Sequence, residues 1–322
     1  MKGLSIGLAF LVAVAFVLSL LAGRVWLPPQ EILDAHNELA RLIVTDLRLP
    51  RSVLALLVGA SLGLSGAVLQ GLTRNPLAEP GLLGVSTGAA LGAVLAIYFG
   101  VTLIAGVGGP LLGLVGALAA CALTFGLAAG GGTITLVLAG AAVSSLTAAG
   151  IALALNFAPN PYAAYEIMNW LLGSLADKSW NQVWLILPFV LVGCGLLATT
   201  GRALDALSLG ETQAESLGIN LSRLRIAAIA GTALAVGAAT SVTGAIGFIG
   251  LVAPHLARPF VGHQPSRILL PATLGGALLL LIADIAARLI HLGPELKLGV
   301  FTSLVGTPFF FWLVWKLKRT SP

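Results

Sequence analysis

Ten stretches of this chain are apolar enough and long enough to cross a lipid bilayer, and little separates one from the next. They fall at residues 4–21, 53–72, 83–105, 111–129, 134–158, 183–199, 226–242, 245–261, 268–292 and 298–316. A spanning helix needs roughly 20 apolar residues, so each stretch predicts a helix. A soluble body is excluded on surface grounds. Charged residues make up 9% of the sequence, where soluble domains carry roughly 25%. The chain therefore reads as an all-α polytopic membrane protein of about ten helices, forming a single transmembrane domain over residues 1–322 with membrane lipid as its solvent. The least distinct boundary lies between the seventh and eighth stretches from the N-terminal helix onward, where Thr240-Ser241-Val242-Thr243-Gly244 is a polar dent rather than a loop. Lys2 followed by Leu4–Leu21 is too long for a signal-peptide core and is read as a retained first helix.

Basic residues set the expected orientation. With the N-terminus inside, Lys2, Arg74, Arg202, Arg223, Arg225, Arg258, Arg267, Lys316, Lys318 and Arg319 face the cytoplasm. Arg24, Arg41, Arg48, Arg51, Lys178 and Lys297 face outward, and Glu31, Asp34, Glu38 and Asp46 offset most of them. Both termini are expected in the cytoplasm of a plasma-membrane protein. The net charge of +5 suits loops against anionic headgroups and gives no reason to expect nucleic acid.

The long polar passage Gly201–Arg225 interrupts the apolar succession. Glu211–Leu217 has acids in its first turn and Gly218 where a helix stops. Leu207, Leu209, Ala214 and Leu217 are expected to give it one apolar side. Held between two spans, it reads as a handle for a soluble partner.

Residues for bond chemistry are not assembled. The sequence has no Gly-Lys-Ser/Thr phosphate loop. His36, His255, His263 and His291 are scattered without zinc spacing, and Cys121 and Cys194 sit in apolar runs as inert thiols. No catalytic residue, metal or cofactor is expected. His255, after Pro254, is read as a histidine bonded to freed backbone. Asp284 and Arg288, four apart in one span, are expected to form a self-neutralised pair. Gly59 and Gly63, and Gly84, Gly88 and Gly92, offer small faces for helix packing. Arg74-Asn75-Pro76-Leu77-Ala78-Glu79-Pro80-Gly81 reads as a rigid inner turn with Glu79 opening the next helix.

Several blocks, taken together, resemble a known family. They are Leu47-Arg48-Leu49-Pro50-Arg51, Asn75-Pro76-Leu77-Ala78-Glu79-Pro80-Gly81, Ser208-Leu209-Gly210, Gly250-Leu251-Val252-Ala253-Pro254-His255 and Gly306-Thr307-Pro308-Phe309-Phe310. They are similar to the permeases of bacterial ABC importers for ferric siderophores, haem and vitamin B12, the FecCD-type (type II) importers. The resemblance runs from about Leu47 to the C-terminus. It implies a permease dimer, identical or paralogous, that works with ABC ATPase subunits and a substrate-binding protein by alternating access. Ferric siderophore is the first expected cargo, with cobalamin and haem as alternatives. It further implies that Leu207, Ser208, Leu209, Gly210, Glu211, Ala214, Glu215, Leu217 and Gly218 couple to the ATPase, and that Asn75, Pro76, Leu77, Thr133 and Thr135 form gates. Arg48, Arg51 and Arg288 would receive acidic residues of the binding protein, with Asp284 holding Arg288. Two other classes remain open from sequence: an ion-coupled secondary transporter, which should carry more ionisable groups in its spans, and a non-transporting scaffold, which needs no gate.

Overall fold

The computed structural model describes residues 2–23, 27, 28, 30, 37–101, 107–129, 131–290 and 295–320. Arg24, Glu31, Asp34, His36 and His291 lie outside the described residues. Thirteen α-helices follow in order among the described residues: α1 Lys2–Leu21, α2 Glu38–Thr73 (π-helical over Ile43–Arg48), α3 Val85–Tyr98, α4 Gly108–Leu127, α5 Thr133–Asn156, α6 Pro161–Leu171, α7 Trp180–Thr199, α8 Gly201–Leu207, α9 Glu211–Ser216, α10 Leu221–Thr243, α11 Ile249–Ala257, α12 Pro265–Leu289 and α13 Leu298–Thr320. Among the described residues there is no strand. Seven of the helices (α1, α2, α4, α5, α7, α10 and α12) are long and apolar enough to cross a membrane. Val85–Tyr98 (α3) and Leu298–Leu313 of α13 are shorter apolar helical stretches, in rough agreement with the expectation of about ten.

Local chemistry sets the helix limits. Asn160 and Asn220 accept the backbone N–H groups of Ala163 and Arg223 at 2.8 and 2.9 Å, capping α6 and α10. Ser179 and Gln182 cap α7 reciprocally. Arg74, in the left-handed conformation with φ 50°, ends α2.

Packing is closest where backbones touch. A methyl group on Gly59 or Gly63 of α2 would collide with the Gly276 or Ala272 carbonyl of α12, and one on Gly276 would strike Gly59. Gly88 and Gly92 of α3 meet Gly116 and Leu112 of α4 in the same way. Bilayers offer no hydrophobic drive between helices, so such close approach supplies the dispersion contact that holds them. Gly84 departs from the expected seam: it has φ 74° and ends the short 3₁₀ turn Pro80–Leu83.

Two expected spans are broken, and the breaks meet. Among the described residues, the stretch from 83 yields the 14-residue α3, and 245–261 yields the nine-residue α11 followed by the short 3₁₀ turn Arg258–Phe260. Five non-helical residues, 244–248, precede α11; Phe248 there adopts φ 67°, with its ring against Gly306 of α13. Gly250 lies against Gly66, and a methyl on Gly250 would sit 2.9 Å from Pro80 Cδ and 3.0 Å from the Leu62 carbonyl. Leu62 and Gly66 are near the middle of the long straight part of α2, Leu49–Thr73. The passage after α2 is therefore not an inner turn: it climbs back to mid-depth before α3 begins. The Phe248 backbone N–H reaches the Glu79 carboxyl there. Irregular backbone survives at membrane depth only when buried in protein or lining a polar cavity, and the two broken segments satisfy each other.

Candidate functional site

The handle is bound to the membrane body at two points. Asp205, on α8, accepts the Ser266 N–H at 2.8 Å, the Ser266 hydroxyl at 2.6 Å and the Gln264 amide at 2.7 Å. It thereby caps α12, whose own N-cap residue, Gln264, does not. Burial pushes the Asp205 carboxyl up, but the donors from Ser266 and Gln264, with the Arg267 charge, hold it below its ordinary value.

The second point is Glu211. Its Oε1 accepts the Thr133 hydroxyl at 3.1 Å and the Arg225 guanidinium at 3.2 Å. Arg225 also donates to the Gly131 carbonyl at 3.1 Å. The first residue of α5 is thus joined to the first residue of α9. Thr135 is exposed, its side chain folded over Gly131. Asn75 accepts the Leu77 N–H at 2.9 Å, which locks that loop locally. Among the described residues no hydrogen bond joins Asn75–Leu77 to Thr133 or Thr135.

The four apolar handle residues do not share a side. Leu207 and Ala214 are buried in the core, while Leu209 and Leu217 are 64% and 63% exposed. Gly210 and Gly218, at φ 118° and 81°, turn the chain on either side of α9, which is too short to present a continuous apolar face. Ser208 donates to the Asp205 carbonyl at 2.6 Å, and Glu215 points into solvent.

At the opposite end the expected Asp284–Arg288 pair is present as part of a larger cluster. Asp284, with 0% of its side chain exposed, accepts Arg288 Nε at 2.9 Å and Arg51 Nη2 at 2.7 Å. Arg51 also grips Glu295, whose side chain is 27% exposed. Arg288 donates to the Ser19 and Ala22 carbonyls at 2.9 and 3.2 Å. Arg48 is buried and donates to the Leu20 and Leu21 carbonyls at 2.9 and 2.7 Å. The three arginines therefore nail α1, α2 and α12 together, and none stands as a bare outward charge. They still border an open cavity of about 340 Å³ with Asp177, Lys178 and Glu295.

His255 departs from its expected role. Its ring meets Phe309 edge-on at 5.7 Å, and its buried Nδ1 has no hydrogen-bond partner. A groove of about 700 Å³ runs past the broken segment, lined by Ala245, Gly247, Gly299, Ser303, Leu304 and Thr307. Sequence reasoning did not reach Glu295, the Glu79–Phe248 contact or the Asp205 cap. Only the cap left a trace, as a helix opening on Gln264-Pro265 without its own capping side chain.

The profile described as the FecCD transport family matches residues 11–316. The chain is 40% identical over 316 residues to proteins described as the vitamin B12 import system permease protein BtuC in Salmonella paratyphi A and Salmonella typhimurium, covering 98% of this chain and 95% of theirs. A solved structure described as an inward-facing conformation of a metal-chelate type ABC transporter superposes with TM-score 0.88 at 32% identity, over 98% of this chain and all of that one. PsaBC from Streptococcus pneumoniae, in complex with Fab, gives TM-score 0.55 at 16% identity over 88% of this chain and 92% of that one, a likeness of fold alone.

Proposed function

Because the chain belongs to the FecCD transport family, we propose that it is the permease subunit of a type II ATP-binding-cassette importer that carries vitamin B12 across a bacterial plasma membrane. In this reading it works with separate ATPase subunits, a substrate-binding protein and a second permease copy, and the handle end faces the cytoplasm. The cargo differs from the ferric siderophore expected from sequence. The shift rests on 40% identity over nearly the whole chain to permeases named for vitamin B12. A ferric chelate is the second reading, favoured by the metal-chelate type transporter at TM-score 0.88.

The observation that carries the mechanism is the Thr133–Glu211 hydrogen bond. An ATPase seated on exposed Leu209 and Leu217 would move α9, and Glu211 would deliver that movement to the start of α5, where the gate residue Thr133 stands. Asp205 would pass the same movement to α12, which packs backbone to backbone on α2. Asn75–Leu77, at the foot of α2, would respond through it. The groove beside residues 244–248 would form half of a pathway completed by the second copy. The chain does no bond chemistry. It supplies two packings that its partners bias differently.

The test is uptake into proteoliposomes holding this chain and its ATPase, with ATP inside and binding protein outside loaded with vitamin B12 or ferric siderophore. Vitamin B12 uptake that needs both ATP and binding protein is expected. Uptake driven by an ion gradient without ATP would overturn the proposal. Leu209→Asp with Leu217→Asp is expected to abolish ATPase co-purification while the protein remains folded, because both side chains are exposed. Normal co-purification would remove the handle from the mechanism.

A further inference from the structure

The handle end contains a cavity that the mechanism above does not use. It measures about 220 Å³ and lies where α2 and α11 end and α12 begins, beside the end of α8, lined in its polar part by Gln70, Arg74, Ser208, Arg258 and His263. No acidic residue lines it. Gln70 is engaged at both ends: its oxygen accepts Arg258 Nη2 at 2.7 Å, and its amide donates to the Leu251 carbonyl at 3.3 Å. Arg258 is left with a buried Nε that has no partner. The Arg74 guanidinium donates no hydrogen bond among the described residues, and Arg74 is exposed, as is His263. Asp205, three residues before Ser208, is occupied by Ser266 and Gln264.

We infer that this cavity is a receptor for an acidic side chain of the ATPase subunit. The inference rests on the reading of the handle as the ATPase seat and deepens it. Three observations support it. The wall offers two arginines and a histidine with no internal acid to neutralise them, so its electrostatic complement is a carboxylate. Its volume suits one side chain. Its rim includes Ser208, and the next residue is the exposed Leu209, so a body covering Leu209 also covers the cavity mouth. Apolar contact at Leu209 and Leu217 would hold the ATPase, and a carboxylate in this cavity would fix its rotation. An arginine fork meets a carboxylate in a defined plane, which a leucine contact does not impose.

The experiment measures binding of the purified ATPase subunit to the full-length chain in nanodiscs of uncharged lipid, from about 50 to about 500 mM salt. Arg74→Gln is expected to weaken binding on the order of fivefold at low salt, and Arg258→Gln on the order of thirtyfold, with both differences shrinking as salt rises. Arg258→Gln also loses the bond to Gln70, so Arg74→Gln, which disturbs no internal contact, keeps the test decisive if the former fails to fold. Wild-type affinity and salt slope in Arg74→Gln would overturn the inference. A defect seen only in discs of anionic lipid would also overturn it, because the cavity would then hold a headgroup. Leu209→Asp separates the two levels. If it binds normally, the seat itself is wrong; if it abolishes binding while Arg74→Gln does not weaken it, the seat stands and the cavity is wrong.

Discussion

The two ends of this molecule carry similar charged groups arranged to opposite effect. At the end away from the handle, two arginines and two carboxylates share seven side-chain hydrogen bonds (Arg51 gives two to Glu295 and three to Asp284, and Arg288 two more to Asp284). Asp284, at its centre, is closed to solvent. At the handle end Glu211 holds Thr133 and Arg225 through one oxygen, in partly exposed surroundings. Buried ions must be satisfied fully or they destabilise the fold. Ions near water cost little to separate. One end is therefore fastened, and the other is poised to exchange partners.

The comparison breaks most severely at Asp284. Asp284→Ala leaves the buried Arg288 and the partly buried Arg51 without their shared counter-ion and is expected to lower stability by about 3–5 kcal/mol, read as the largest fall in thermal unfolding of the variants considered. A small fall would mean that the fastened end is no tighter than the other. Asp205→Asn is expected to cost about 1 kcal/mol, as for loss of a helix cap. Its pH dependence follows from the sign of the shift. The Asp205 carboxyl is held below its ordinary value in the folded state, so its contribution is complete above that value and is lost as pH falls through the lowered one. The variant should show a shallower acid limb in stability against pH; an unchanged limb would remove Asp205 from the account.

Glu295 sharpens the contrast, because it is the exposed member of the fastened cluster. Glu295→Gln should cost less than about 1 kcal/mol. On the docking role that the family resemblance implies for Arg51, it should also tighten the binding protein by freeing one guanidinium edge, measured as a lower dissociation constant. Weaker binding would assign Glu295 to the interface itself. The smallest stability effect is expected at Glu211→Gln, within about 0.5 kcal/mol. Its signature should be functional: ATP hydrolysis continues while uptake per ATP falls. Unchanged coupling would deny the Thr133–Glu211 link its role.

Composition made the membrane fold legible, and charge bias with an interrupted apolar pattern made the handle legible. The same signals hid the breaks. Residues 245–261 are as apolar as a continuous helix, and nothing in their hydropathy records that Phe248 turns left-handed against Gly306. The passage at 74–84 holds two prolines and reads as a surface turn. Its return to mid-depth depends on Gly66 and Gly250 meeting across distant sequence. Arg51 and Asp284 lie 233 residues apart, beyond any spacing rule, so an internal ion cluster looked like an isolated pair beside free docking arginines. His255 shows the converse limit, since its neighbour Phe309 is supplied by a helix that sequence cannot orient.

The broken span bears on how the chain is made. Nine helical residues are too few for the translocon to release into lipid as a separate unit. Gly173 and Gly299, which enclose the Ala245 carbonyl, lie on either side of the segment in translation order. The backbone at 244–248 therefore lacks its complete lining until α13 has been synthesised. Residues 244–290 are best inserted as a hairpin, with α11 held beside α12 until that last helix arrives. Truncation before α13 should then yield a chain that enters the membrane and is recognised by quality control as unfinished.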